Sequence, residues 1–231
     1  VKGIGFSLII PAAGSGTRMQ SDIPKPYLKL GEKLILQHTL ECFQSLKGLR
    51  EVIVATSPDF ISETEEVLSE LFPEIPVIVV RGGNERRDSI KNALGQVSDT
   101  SELIAVHDAV RPFVDGATIK SCLQKAVEVG GAIVAVPVKD TIKKVTKDLI
   151  IAKTPDRSRL WQAQTPQIFR RKLLIEAYQN NLSENSTVTD DASLIELAGG
   201  KVAVVEGSRE NFKLTYPLDM AVAEMLVKRR A

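Results

Sequence analysis

With 231 residues, 43% of them hydrophobic and 26% charged, the chain can bury one sizeable α/β core and is too apolar to be a disordered segment. Lysine and arginine total 30 against 29 acidic residues, and a net charge of +1 excludes the strongly basic balance of a general nucleic-acid binder. No apolar run reaches the ~20 residues that a membrane-spanning helix requires, so no membrane partner is expected.

Phe6 to Ile10 is short, apolar and bulky, the pattern of a buried parallel strand, and a Gly-rich stretch from Ala12 to Gly16 follows it. The residues before it, from Val1, lack a basic region followed by a long apolar stretch, so no signal peptide is expected, although a removed plastid transit peptide stays open. Leu36, Leu40 and Phe43 give helical spacing, and Glu51 to Ala55 reads as a second strand. A helix through Phe60, Val67, Leu68 and Leu71 precedes a third strand, Pro76 to Val80. Arg86 to Gly95 is helical in pattern, Leu103 to Val106 is a fourth strand, and a helix through Ile119, Cys122 and Ala126 ends at Gly130-Gly131. Ala132 to Val136 is then a fifth strand. This alternation predicts a doubly wound, Rossmann-like α/β fold with a mainly parallel sheet, whose ligands sit at the carboxyl ends of the strands.

The pattern changes between 139 and 169, where Ile142 to Val145, Leu149 to Lys153 and Leu160 to Gln164 are short strand candidates with too little apolar surface for a domain. We read 1–231 as a single domain, with 139–169 as a protruding β-arm whose open edges call for a partner. A homodimer through the arm is therefore expected, the alternative being a solvated excursion. Helices near 170–179 and 191–197, a strand at 201–205 and a closing helix through Leu218, Ala221, Val222, Met225 and Leu226 complete the chain. Cys42 and Cys122 both fall in apolar-periodic segments and have no zinc-ligand spacing, so they read as buried thiols of a cytoplasm-type, reducing compartment.

The segment Pro11-Ala12-Ala13-Gly14-Ser15-Gly16-Thr17-Arg18-Met19 lets backbone N–H groups approach a polyphosphate. It is neither a Walker loop nor the dinucleotide fingerprint, since Met19 stands where the third glycine belongs; that argues against a nicotinamide dehydrogenase. Arg18 supplies a planar donor fork, and Lys25, within Pro24-Lys25-Pro26, is expected on a stiff, extended segment aimed at an anion.

These motifs resemble those of the sugar-nucleotidyltransferases. More narrowly, the chain resembles the 2-C-methyl-D-erythritol 4-phosphate cytidylyltransferase family. The likeness runs in order through G-G-N-E-R-R-D-S at 82–89, V-H-D-A-V-R-P-F at 106–113, D-T-I-K at 140–143, L-W-Q-A-Q-T-P-Q at 160–167, T-D-D-A-S at 189–193 and N-F-K-L-T at 211–215. The resemblance implies a sheet of the nucleotide-diphospho-sugar transferase type and transfer of CMP from CTP to 2-C-methyl-D-erythritol 4-phosphate, a small polyol phosphate, with release of pyrophosphate. It implies Arg18, Lys25 and Lys213 as catalytic cations, Lys213 on a late strand. It also implies Pro11, Ala12, Ala13, Gly14, Ser15, Gly16, Gly83, Asn84, Ser89 and Ala109 around the nucleotide. Arg111, Thr141, Arg157, Thr165 and Thr189 would bind the acceptor, Thr141 and Arg157 doing so in a neighbouring subunit.

A carboxylate at the end of the fourth strand, Asp108, suits Mg²⁺ carried by nucleotide phosphates, and the resemblance implies it as the metal ligand; a helix cap or an ion pair with Arg111 is its alternative. His107 is read as structural, because an ionised phosphate nucleophile needs no base. Asp190 and Asp191 open a helix, where capping explains them better than a metal pair. Two readings remain beside the first: a ribitol 5-phosphate cytidylyltransferase on the same scaffold, and a nucleotide-binding module without catalysis.

Overall fold

The computed structural model describes residues 3–14, 23–180 and 188–230. The apolar run Phe6–Pro11 is strand β1, buried along all but its last residue, as a strand covered on both faces must be. A short ribbon, β2 (Lys29–Leu30) and β3 (Lys33–Leu34), leads into helix α1 (Ile35–Gln44). Strand β4 (Leu49–Thr56), helix α2 (Ile61–Leu71), strand β5 (Val77–Arg81), helix α3 (Arg86–Leu94) and strand β6 (Leu103–Val106) then alternate as the apolar spacing predicts. Helix α4 (Gly116–Val129) starts at Asp115, whose carboxylate accepts the Thr118 N–H at 2.7 Å, and stops at Gly130, whose φ of 108° few other residues tolerate. Strand β7 (Gly131–Pro137), the arm strands β8 (Lys144–Val145) and β9 (Ile151–Lys153), and strand β10 (Trp161–Arg170) follow. Helices α5 (Arg171–Asn180) and α6 (Asp191–Leu197), strand β11 (Ala203–Glu206) and helix α7 (Pro217–Arg230) close the chain.

Seven strands form one sheet in the order β11-β7-β10-β6-β1-β4-β5. All neighbours are parallel except β10, which runs antiparallel to both β6 and β7. Alternate residues feed two layers: Leu8, Ile10, Val52, Val54 and Ala105 pack with α1, α2 and α4, while Ile9, Ile53, Ile104 and Val106 pack with α3, α5 and α6. A third cluster, Leu30, Ile35, Phe113, Leu214 and Leu226, clamps α7 over the ribbon β2–β3. From β1 the chain moves outward to β4 and β5, then crosses back to β6 on the other side of β1. That reversal opens a crevice between the carboxyl ends of β1 and β6.

The arm is shorter than the sequence suggests. Residues 161–169 belong to β10 inside the main sheet and are no part of the excursion. Burial explains the difference, since Ile168 and Phe169 are both fully buried, one on each face of the sheet. The polar run Gln162 to Gln167 hides that pull in the sequence. What projects is 138–160, closed at its base by the Val138 N–H donating to the Leu160 carbonyl at 2.9 Å. Lys213 also departs from expectation, for it lies on irregular chain rather than a strand. A backbone bond, Leu214 N–H to the Val110 carbonyl at 3.0 Å, helps bring it to the site.

Candidate active site

The crevice holds a cleft of about 270 Å³ lined by Pro11, Ala12, Ala13 and Gly14 from the end of β1, by 83–86 and Ser89 after β5, by 108–110 after β6, and by Lys25, Pro26 and Lys213. Two close approaches shape its wall. A Cβ on Gly82 would stand 2.2 Å from the Ala13 Cβ, and one on Gly83 would stand 2.2 Å from the Asp88 Cβ. Gly82 thus lets the loop after β5 lie against the loop after β1, and Gly83 lets it turn into α3. Gly14 also lines the cleft, and a Cβ on it would meet no described residue within 4 Å. Of the predicted phosphate loop, Ser15, Gly16 and Arg18 lie outside the described residues.

Lys25 is buried and reaches the cleft from a short 3-10 turn, Lys25–Tyr27, instead of the extended segment predicted; the extended residue is Pro24, with φ −58° and ψ 138°. The turn tolerates Pro26 near its start because the first N–H groups of a helical turn have no internal partner. Its anchor is Tyr27, stacked on Phe60 at 4.1 Å with its hydroxyl hydrogen-bonded to Thr56 and, at 2.7 Å, to Thr64. The Lys25 ammonium donates to the Thr215 carbonyl at 2.9 Å, which ties this turn to the segment that carries Lys213.

Asp108 is the electrostatic centre. Its Oδ1 accepts from Arg86 Nε at 3.0 Å, and its Oδ2 accepts from Lys213 Nζ at 3.0 Å and Arg111 Nε at 3.5 Å. Burial alone would raise its pKa, but Arg86, Lys213 and Arg111 hold it well below the usual carboxylate range. The anionic form is therefore fixed, and three cations surround one carboxylate. Such an excess of positive charge beside open space attracts a polyanion.

His107 is fully buried, and burial lowers its pKa to about 4. The neutral ring donates from Nε2 to the Arg111 carbonyl at 3.0 Å, which leaves Nδ1 to accept the Thr165 hydroxyl at 3.0 Å. The Thr165 oxygen in turn accepts the Asp108 N–H at 3.0 Å. Both side chains orient the Asp108 turn. Thr165, predicted at the acceptor, is buried under that turn and its hydroxyl is already engaged.

The remaining predicted residues divide. Ala109 lines the cleft, and its carbonyl accepts the Thr39 hydroxyl at 2.9 Å. Asn84 is exposed on the rim, whereas Ser89 faces inward, accepting the Gly83 N–H at 3.0 Å and donating to the Glu85 carbonyl at 3.2 Å. Arg111 is held by the Asn211 carbonyl at 2.7 Å and lines an adjoining hollow of about 250 Å³ with Gln162, Gln164, Arg209, Phe212 and Lys213. Thr189 borders a smaller hollow, about 100 Å³, with Arg86, Arg87 and Tyr178. Thr141 and Arg157 lie exposed on the arm, with Arg157 donating to the Lys139 carbonyl at 2.6 Å. The residue that the sequence reading passed over is Arg86, which lines the cleft and holds Asp108. Its signal was faint, an arginine at the first turn of a helix just past a strand end.

Among the described residues no group of three or more His, Cys, Asp or Glu side chains converges, and the other carboxylate lining the cleft, Glu85, is 62% exposed. Both oxygens of Asp108 already accept from cations. The donors do not fit a metal held by protein alone.

A doubly wound sheet with a cation-rich cleft at its switch point defines an enzyme that acts on nucleotide phosphates. Residues 6–229 match the family model described as 2-C-methyl-D-erythritol 4-phosphate cytidylyltransferase. Proteins of that name from Caldanaerobacter subterraneus subsp. tengcongensis and Alteromonas mediterranea are 39% and 43% identical to this chain; the alignments span 98% and 96% of it and 100% and 92% of the relatives. The crystal structure of 4-diphosphocytidyl-2C-methyl-D-erythritol synthase from Anaerococcus prevotii superposes with a TM-score of 0.88 at 30% identity, covering 99% of this chain and 98% of its own. The cytidylyltransferase from Francisella tularensis gives 0.80 at 35% identity, with 96% and 99% covered. The chain belongs to the 2-C-methyl-D-erythritol 4-phosphate cytidylyltransferase family and is a cytidylyltransferase.

Proposed function

We propose that this chain transfers CMP from CTP to 2-C-methyl-D-erythritol 4-phosphate within the 270 Å³ cleft, and that its lysines act on the transferred phosphoryl group. The observation that carries this reading is the convergence of Lys25 and Lys213 on one cleft beside the ionised Asp108. The acceptor's phosphate oxygen forms a bond to the α-phosphorus of CTP while the bond to pyrophosphate breaks in line. Negative charge grows on the α-phosphate oxygens and the leaving group. Lys25 and Lys213, joined by Arg18 of the phosphate loop, stabilise that charge in a site partly shielded from water. A nucleotide-borne Mg²⁺, when bound, would neutralise further phosphate charge, with Asp108 as its protein ligand.

Backbone groups of 11–14 and 83–84 hold the nucleotide, and Ser89 keeps the 83–85 turn in shape. Arg111 and the hollow beyond Lys213 receive the acceptor. Asp108 holds Lys213 against thermal wandering of its stem, and His107 and Thr165 hold Asp108. No base is needed, because the acceptor phosphate is ionised near neutral pH.

The arm presents Val145, Leu149, Ile150 and Ile151, and Trp161 of β10 lies beside its root, all at least 40% exposed. A second copy would cover this surface, and the homodimer would bring Thr141 and Arg157 to the partner's acceptor. The free thiols of Cys42 and Cys122 support a reducing, cytoplasmic setting. Among the described residues no helix is long and apolar enough to cross a membrane.

The test is pyrophosphate release with CTP, Mg²⁺ and 2-C-methyl-D-erythritol 4-phosphate, with UTP and ribitol 5-phosphate as parallel substitutions. Release confined to CTP and the methylerythritol acceptor is expected. Release only with ribitol 5-phosphate would replace the acceptor, and silence from folded protein would leave a nucleotide-binding module.

A further inference from the structure

Arg86 stands between two buried carboxylates. Its Nε donates to Asp108 Oδ1 at 3.0 Å, and its NH1 donates to Asp191 Oδ2 at 2.9 Å. Asp191 is 1% exposed, and its other oxygen, Oδ1, accepts the Tyr178 hydroxyl at 2.6 Å. A continuous chain of polar contacts thus runs from Tyr178 on α5, through Asp191 on α6 and Arg86 on α3, to Asp108 and Lys213 in the cleft.

The start of α6 does not need the Asp191 side chain. Asp190 caps the helix by accepting the Ser193 N–H at 3.0 Å, and Gln167 accepts the Ala192 N–H at 3.0 Å. A carboxylate buried so completely, beside a helix end that is already satisfied, is costly unless its charge is used. Its partner is Arg86. Burial by itself would lower the guanidinium's pKa, but Asp191 first and then Asp108 raise it, so Arg86 stays cationic.

We propose that Asp191, steadied by Tyr178, is a positioning residue for cytidylyl transfer: it anchors one edge of the Arg86 guanidinium so that Arg86 takes a single oxygen of Asp108 and leaves the other to Lys213. A planar guanidinium free of Asp191 turns both its donors onto one carboxylate, since the paired-fork geometry is its preferred one. That carboxylate is Asp108, and Lys213 then loses its anchor at Oδ2. The loops that hold the nucleotide, 11–14 and 83–84, take no part in this chain of contacts. Asp191 therefore governs the transition state more than nucleotide binding.

This inference rests on the cytidylyl-transfer reading, so parent turnover is measured first; an inactive parent defeats that reading and is recognised before any variant is compared. In an active parent, Asp191→Asn keeps the shape and removes the charge. The fraction of folded sites is counted by calorimetric titration with CTP and Mg²⁺, and kcat is expressed per binding site. We expect kcat to fall about tenfold while the Kd for CTP stays within about twofold, with Tyr178→Phe giving a drop of about threefold in the same direction. The decisive readout is a double-mutant cycle with Arg86→Gln. Once Arg86 is gone, Asp191→Asn should cost less than about twofold. Parent kcat per site in Asp191→Asn, an equal loss in both backgrounds, or loss of CTP binding in step with turnover each overturns the proposal. If Asp191→Asn does not fold, Tyr178→Phe runs through the same cycle with the same criteria.

Discussion

The cleft and the arm are built on opposite terms. Around the cleft the described polar side chains at its centre are held by the chain itself: Asp108 by three cations, His107 by a carbonyl and a hydroxyl, and the Lys25 turn by Tyr27. On the arm, Leu149 is 81% exposed and Ile150 66%, and Thr141 and Arg157 are exposed with them. The difference teaches that one protomer can preorganise nucleotide chemistry but leaves the arm's apolar residues uncovered. Catalytic power should therefore be lost by changes within one chain, and acceptor selection by changes between chains.

The sharpest break in this comparison is at the lysines. Lys25→Ser and Lys213→Gln each remove a cation aimed at developing phosphate charge, and each should lower kcat by about 10²–10³. Thermal melting should move little for Lys213→Gln, whose side chain is half-exposed and leaves Asp108 with Arg86 and Arg111, and more for Lys25→Ser, which gives up a buried bond to the Thr215 carbonyl. Full turnover with ordinary affinity in Lys25→Ser would remove it from the mechanism.

Next in size is a pair of substitutions across the boundary between sheet and arm. Phe169→Ala empties a fully buried site in β10 and should cost about 3–5 kcal/mol in denaturant unfolding. Leu149→Ala, at the tip of the arm, should cost the isolated protomer under about 0.5 kcal/mol. Equal losses would mean that the arm is packed as firmly as the sheet.

This boundary is also where the sequence was least legible. The strands β1, β4, β5, β6 and β7 could be read because both faces of each are covered and the apolar runs are unbroken. β10 was read only in part, as Leu160 to Gln164 within the arm, since Gln162 to Gln167 satisfies its polar atoms through partners distant in sequence, such as Ser208, Asp190 and Asn211. The cleft was readable for a different reason. Pro11 to Gly14, Gly83, Ser89 and Asp108 all follow strand ends, where a doubly wound sheet collects its ligands. Arg86 escaped, and Asp191 was read as a cap beside Asp190 although its side chain holds Arg86 and Tyr178 instead, because what fixes their role is a contact across 105 positions of chain. Lys213 was placed at the site through resemblance alone, and its irregular backbone carries no periodic signal.

A smaller effect tests whether two protomers share a site. Arg157→Ala should weaken acceptor use, seen as a raised KM for the polyol phosphate, with little change in the KM for CTP. If Arg157 serves the partner's site, mixing Arg157→Ala protomers with Lys25→Ser protomers restores activity, because each heterodimer then contains one site with both residues intact. With random exchange of subunits about a quarter of the sites recover, a ceiling set by twofold symmetry. No recovery in a sample shown by light scattering to have exchanged would place Arg157 in its own protomer's site.

The smallest effect is expected where the packed region holds the two thiols. Cys122 is fully buried and Cys42 partly so, with its Sγ–H directed at the His38 and Pro112 carbonyls, both at 3.4 Å. Burial pushes both thiols up to about 12. At pH 8 the protonated form then dominates by about four orders of magnitude, and thiolate is the species that reacts. Iodoacetamide should leave the native protein unlabelled at pH 8 while labelling both cysteines after unfolding in guanidinium, and turnover should be unaffected by the treatment. Rapid native labelling of Cys42 would show that α1 opens locally against the 109–113 turn, and would make that side of the cleft as loosely held as the arm.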